Sequence, residues 1–441
     1  MKYQLFLSCC IFLLFFISTA YSQESASFDM QEISAFATPI GVLGQYAECN
    51  NTTPDKEVKK YPTFKSQKPI YGSITFDSNY TVPNSGIKYY FAIDESLGTD
   101  KGYDTFYFDI NRDLDLTNDK SLNPMKNLPD NVLKSSGESK ITYFDYLTIN
   151  FDYGQEIGIK PFQIIPHLTV YTFGYSYLHF LSTTARKGEI HIGNYKYDAV
   201  IAQWYIISGR FDRPFTGIFL TPLEGAPPLG KWTGSEMLRS MHSIDGKFYS
   251  FSTTPTGDKL FVNPYKGDLG IFAMGPGNRK IKDMSVYGCI MSENTVVPIG
   301  KENPGGWPTK TKECRIPVGE YFPNYLQVEY GQLSMNIRQN QHSDGKANDR
   351  QDRPMAYGIK ITKETPFYFD FPNQPEILFT SPEKDMKFKP GDTVSVETYL
   401  IDPKWDFVIL NLKNNKRDLL PLVEIFNSSG KRIVTGAMRY G

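Results

Sequence analysis

Asp109, Asn111, Asp113 and Asp115 recur at every second residue, and Thr117 and Asp119 continue the run. Such side chains offer hard oxygens, and a hard cation such as calcium takes about six to eight of them. A tightly curved loop that turns alternate carboxylates inward therefore predicts a calcium site. Its candidate ligands are Asp109, Asn111, Asp113, Asp115 and Asp119, with the Asp115 carbonyl as a further donor. The four carboxylates repel one another, with only Arg112 and Lys120 nearby to compensate, which favours an ion. A solvated turn whose carboxylates cap backbone N–H groups uses the same residues and needs no ion.

The spacing resembles the D-x-N-x-D loops of the EF-hand and dockerin families, with Asp109, Asn111 and Asp113 in the first three ligand positions. That resemblance implies calcium as the cofactor. The chain departs from the family pattern at Leu114, where the family has the glycine of a sharp turn, and at Lys120, where it has a bidentate glutamate. Asp119 stands one residue early as a substitute, and neither flank carries a helical period.

Other chemistry is sparse. G-x-S-x-G, H-E-x-x-H, Walker and C-x-x-C signatures are absent, and the five histidines lack short metal-ligand spacing. A glycan-active hydrolase would need two carboxylates across a cleft, for which Asp152, Glu156 and Asp212 are the candidates. Tyr171, Phe173, Tyr175 and Tyr177, with Trp204 and Tyr205, are an aromatic set whose flat faces could stack on sugar rings; alternating aromatics also line cores.

The elements that must position these residues read as strands. The 441 residues include 31 Phe, 29 Tyr, 29 Pro and 35 Gly, a composition of strands and turns. Aromatic and β-branched runs bounded by turn residues predict strands at 70–76, 87–93, 105–108, 141–151, 168–173, 189–192 and 197–207. Further strands are expected at 243–244, 247–251, 259–262, 393–400, 407–410, 422–426 and 433–434. Two of the hairpins, one opened by Gly72 and one by Gly188, echo each other as a short strand, a turn and a longer strand. The fold class is all-β, a multi-domain sandwich or meander.

Residues 23–61 lack sustained periodicity and read as a leader or an edge segment. An N-terminal β domain over 62–225 ends at the Pro-Gly cluster from Pro222 to Pro228, and a middle β domain over 226–371 carries a polar, charged loop at 338–354. The pattern Pro390-Gly391-Asp392 before a strand, with a closing V-x-I hairpin, resembles bacterial immunoglobulin-like domains over 372–441. As a whole the chain resembles secreted multi-domain β-proteins of environmental bacteria, a family that brings no activity with it.

Lys2 precedes an apolar run over 5–17 and small residues at Ala20 and Ser22, so residues 1–22 read as a cleaved signal peptide. The run is shorter than the ~18 residues of a spanning helix, so the exported chain is expected not to span a membrane. Export leaves Cys49, Cys289 and Cys314; a Cys289–Cys314 bridge is the intramolecular pairing expected, and three thiols are the alternative. Lys+Arg 47 against Asp+Glu 48 gives a net charge of -1, which argues against nucleic acid as a partner. The reading is a secreted or periplasmic non-catalytic binding or structural protein, with a cell-envelope protein or glycan as partner; the alternative is a secreted glycan-active hydrolase.

Overall fold

The computed structural model describes residues 25–38, 44–50, 53–78, 85–99, 102–172, 174–204, 206–227, 237–244, 247–274, 284–292, 295–299, 313–338, 358–369, 376–382, 385–389, 391–402 and 407–438. The protein is all-β: thirty strands form among these residues, and their one helical element is the short 3-10 turn Ala35–Ala37. Alternation of apolar and polar side chains sets the faces, as in Leu147–Asp152, where every second residue is buried.

The first sheet has eight antiparallel strands in the order Thr105–Phe108, Ile87–Asp94, Ile70–Phe76, Gln45–Asn50, Ser176–Ser182, Ile159–Tyr171 and Ser139–Tyr143, with Leu147–Asp152 also paired to Ile159–Tyr171. It curls over itself around Phe180, whose ring lies 5.4 Å from Phe76, 6.4 Å from Phe91, 6.2 Å from Phe106 and 6.0 Å from Phe108. Phe106 on the first strand stacks at 5.2 Å on Phe144, which follows the last. Ring contacts between the two ends of the sheet thus close its core.

Two four-stranded sheets face each other in the middle of the chain. One runs Gly217–Leu223, Tyr195–Ala202, Thr184–Ile192, Gln31–Ser34; the other runs Ala26–Asp29, Lys259–Pro264, Lys247–Thr253, His242–Ile244. Met30, Ile190, Tyr197, Ile201, Ile218, Tyr249, Phe251 and Leu260 fill the space between them. A nine-stranded sheet and a three-stranded sheet built from residues 269–418 enclose a third core, to which Phe248 and Met241 also belong. The strand Lys247–Thr253 therefore buries both of its faces, one in each core.

Several expectations are corrected by this pairing. Of the two readings of residues 23–61, the edge segment matches Ala26–Asp29 and Gln31–Ser34, which are edge strands of the two facing sheets, whereas Gln45–Asn50 lies inside the first sheet between Ile70–Phe76 and Ser176–Ser182. A boundary at 225 would cut one core, because Ala226 and Leu238 pack with Ile190 and Ile218. Pro222 is itself in a strand, opposite Tyr197. Beyond 371, Glu376–Ser381, Glu397–Asp402 and Phe407–Asn414 extend the nine-stranded sheet through pairing of Phe407–Asn414 with Leu333–Arg338, and Leu422–Phe426 pairs with Arg432–Ala437 in a sheet of their own. The physical reason is shared: proline and glycine clusters mark turns, whereas domain limits follow burial.

Smaller differences follow the same logic. The strand expected at 141–151 is two, broken where Phe144 turns into the core, and the one expected at 393–400 begins only at Glu397. Both echoing hairpins form, in different sheets. Cys49, Cys289 and Cys314 are all thiols, so the Cys289–Cys314 bridge is absent: Cys289 packs with Ile206, Phe215 and Phe322, and Cys314 sits in another cluster with Phe272 and Ile316. The signal peptide, residues 245–246 between two of the expected strands and all but Arg338 of the 338–354 loop lie outside the described residues. Among the described residues no helix is long and apolar enough to cross a membrane.

Candidate functional site

The aspartate loop leaves the edge of the first sheet. Thr105–Phe108 pairs with Ile87–Asp94 and turns Phe106 and Phe108 into the core. The next N–H, that of Asp109, donates to Tyr90 O at 3.0 Å. The chain then reverses with Arg112 at φ 60° and Leu114 at φ 70°. It is pinned from outside by residues 59–60: Lys59 N–H and Lys60 N–H donate to Leu114 O, and Leu116 N–H donates to Lys60 O. Leu116, fully buried, packs with Val58 and Tyr90, and Leu114, Tyr61 and Tyr107 lie against that cluster. The loop therefore covers the outer face of Ile87–Asp94.

Its carboxylates are engaged in order along the chain. Asp109 is 1% exposed; its Oδ1 accepts from Asp113 N–H and its Oδ2 from Leu114 N–H, both at 3.1 Å. Asn111 Oδ1 accepts from Asp113 N–H, Asp113 Oδ1 from Asp115 N–H and Asp115 Oδ1 from Thr117 N–H, each at 2.9 Å. Asn118 Nδ2 donates to Asp113 Oδ2 at 2.6 Å, and Lys60 Nζ lies 3.5 Å from Asp115 Oδ2. These bonds are the successive side-chain turns that the solvated reading of the loop requires.

Asp119 differs from the others. Its Oδ2 is buried and has no hydrogen-bond donor. Burial raises its pKa first, opposed by the Ile110 N–H, and the charges of Asp109, Asp113 and Asp115 raise it further. Burial also raises the pKa of Asp109, against the hydrogen bond from Leu114 N–H. The side-chain hydrogen bond from Asn118 lowers the pKa of Asp113, and that from Thr117 lowers the pKa of Asp115. The two outer carboxylates are thus held ionised while the two inner ones resist charge. An all-oxygen donor set with a bare, buried carboxylate oxygen fits a hard cation. Among the described residues no three His, Cys, Asp or Glu side chains stand arranged as a metal cage, because Asp109, Asp113 and Asp115 point their oxygens at the loop's own N–H groups.

Two of the three carboxylates considered for hydrolysis are engaged by the fold. Arg210 holds Asp212 through Nε at 2.9 Å and Nη2 at 2.5 Å, one to each oxygen. Asp152 Oδ1 accepts from Gly154 N–H at 2.8 Å, capping its own turn, and Glu156 is exposed in that turn. Tyr171 and Tyr177 do meet, at 5.8 Å and 85°, and are joined by Tyr46 at 5.6 Å from Tyr177. Tyr46 is 48% exposed and Tyr175 62%. Sequence reasoning missed Tyr46 because its strand lay in the supposed leader; Tyr46 and Tyr177 are brought together by the pairing of Gln45–Asn50 with Ser176–Ser182. Trp204 packs on Phe219 instead, and Phe173 and Tyr205 lie outside the described residues.

A second feature had no signal in the sequence. His167 and His179 lie opposite each other on adjacent strands, stacked at 5.0 Å, and neither Nδ1 has a partner. Burial and then His179 push the His167 pKa down to about 3.

No protein-family model, curated protein or solved structure matches the chain.

Proposed function

We propose that this chain is a secreted or periplasmic, non-catalytic binding protein whose 109–119 loop is stabilised by calcium and whose partner is a glycan or protein of the cell envelope. The observation that carries the calcium reading is the buried Oδ2 of Asp119, which has no donor and faces the field of three other carboxylates. A divalent cation there would neutralise the repulsion that adds to burial in raising the Asp119 pKa, and Asp109, Asn111, Asp113 and Asp115 would turn oxygens from the loop's own N–H groups to hold it with Asp119. Export rests on residues 1–22, whose charged start, apolar run and small-residue exit are those of a signal peptide. The exposed tyrosines at 46 and 175 support a glycan as the partner.

The experiment is a thermal melt of the chain from Gln23 in calcium, in magnesium and in chelator, beside the double variant Asp109→Ala/Asp113→Ala. An ion bound only by the native state must raise the midpoint. A calcium-specific rise that the variant loses is expected; equal midpoints in calcium and chelator would return the loop to a solvated turn.

A further inference from the structure

A cleft of 420 Å³ opens where the first sheet meets the middle sandwich. Thr148, Lys160, Phe162 and Gln163 line it from the first sheet, and Glu32, Arg186, Phe211 and Thr256 from the sandwich. Clefts between packed units that combine apolar walls with a few convergent polar groups are where small ligands bind. Here Phe162 and Phe211, both buried in the cores on either side, form the floor beneath the polar lining.

One polar group of the lining is left short of a partner by the fold. Arg186 donates from Nη2 to Glu32 at 2.9 Å and lies over the Phe211 ring at 5.7 Å, yet its buried Nε makes no hydrogen bond. A buried guanidinium N–H left without an acceptor costs stability and marks a place for one. Lys160 is exposed at the rim, and lysine and arginine together outnumber the one lining carboxylate, Glu32. Threonine hydroxyls and the Gln163 amide supply donors and acceptors of the kind that read sugar hydroxyls.

We propose that this cleft binds an acidic sugar: a uronate-class residue whose carboxylate meets Arg186 and Lys160 and whose hydroxyls meet the threonine and Gln163 groups of the lining. A guanidinium matches a carboxylate better than it matches a neutral hydroxyl, because two parallel N–H groups meet two oxygens. Glu32 then competes with the ligand for Arg186. The biological sense of the site rests on the binding-protein reading above; its chemistry does not.

The test is calorimetric titration of the full chain with digalacturonate and with its neutral methyl ester, which keeps the shape and removes the charge. Digalacturonate should bind at least about tenfold more tightly than the ester, and Lys160→Met should weaken it about tenfold without moving the melting temperature, the loss expected for one charge-assisted contact. Glu32→Gln should tighten it. Equal affinity for acid and ester, unchanged affinity in both Lys160→Met and Thr148→Val, or no binding of either compound would each overturn the site. Cleavage of the disaccharide, read as new reducing ends, would support the site and sink the non-catalytic reading, and the calcium melt is independent of every one of these results.

Discussion

Asp109 and Leu114 are locked to each other: the buried carboxylate accepts the Leu114 N–H at 3.1 Å while Leu114 is held at φ 70°, in the left-handed region that favours glycine. A leucine there carries roughly 1 to 2 kcal/mol of backbone strain. Its side chain lies against Val58, Tyr90 and Leu116, and that contact offsets the strain. The turn of a D-x-N-x-D loop is therefore made without its glycine.

Substitution separates the two contributions. Leu114→Gly loses the packing and relieves the backbone, whereas Leu114→Ala loses the packing and keeps the strain. Urea denaturation should rank wild type above Leu114→Gly and Leu114→Gly above Leu114→Ala, the last step being about 1 kcal/mol. An alanine variant as stable as the glycine variant would show that the loop does not hold this conformation.

Phe180 is fully buried and touches rings from four residues of three strands, so the curl of the first sheet depends on it. Phe180→Ala should cost about 3 to 5 kcal/mol in chemical denaturation. A cost under about 1 kcal/mol would mean that the two ends of the sheet do not meet over this ring.

Acid should destabilise the protein through its buried histidines. Burial pushes His167 down to about 3 and His242 down to about 4, below the ordinary value of 6.5. Both pKa values are lower in the folded state, so below 6.5 the unfolded chain binds more protons than the native one. The stability these groups confer is complete above about 6.5 and is lost as pH falls toward 4 and then 3. The urea midpoint should drop steadily across that window, and His167→Gln should make the slope shallower; a parallel slope in the variant would remove His167 from the account.

The thiols should be silent in the native state. Burial pushes Cys49 up to about 12, and Cys289 and Cys314 lie in separate packed clusters. A thiol reagent at pH 8 should therefore react slowly with the folded chain from Gln23, which carries three of the five cysteines, and count three thiols after unfolding without reductant. A count of one would restore the bridge between Cys289 and Cys314.

Much of the local structure is readable along the chain. The strands Ile70–Phe76, Thr105–Phe108 and Leu422–Phe426 have the bounds expected from their aromatic and β-branched runs. The aspartate spacing likewise identifies the loop, since alternate residues that turn back on their own N–H groups need no distant partner. Asp119 is legible only in part: its position is local, whereas the burial of its Oδ2 depends on the loop docking against the sheet.

The all-β class, the turns and the order of oxygens in the 109–119 loop are determined by the sequence itself, because period-two alternation and side-chain capping act over a few residues. Tertiary structure decided the rest. It placed Gln45–Asn50 between strands from 70 and 176, set His167 against His179, joined residues on both sides of 225 in one core and opened the Arg186 cleft. Those relations depend on which distant strands bury each other's faces, and a strand's own pattern states that it has a face to bury without stating against what.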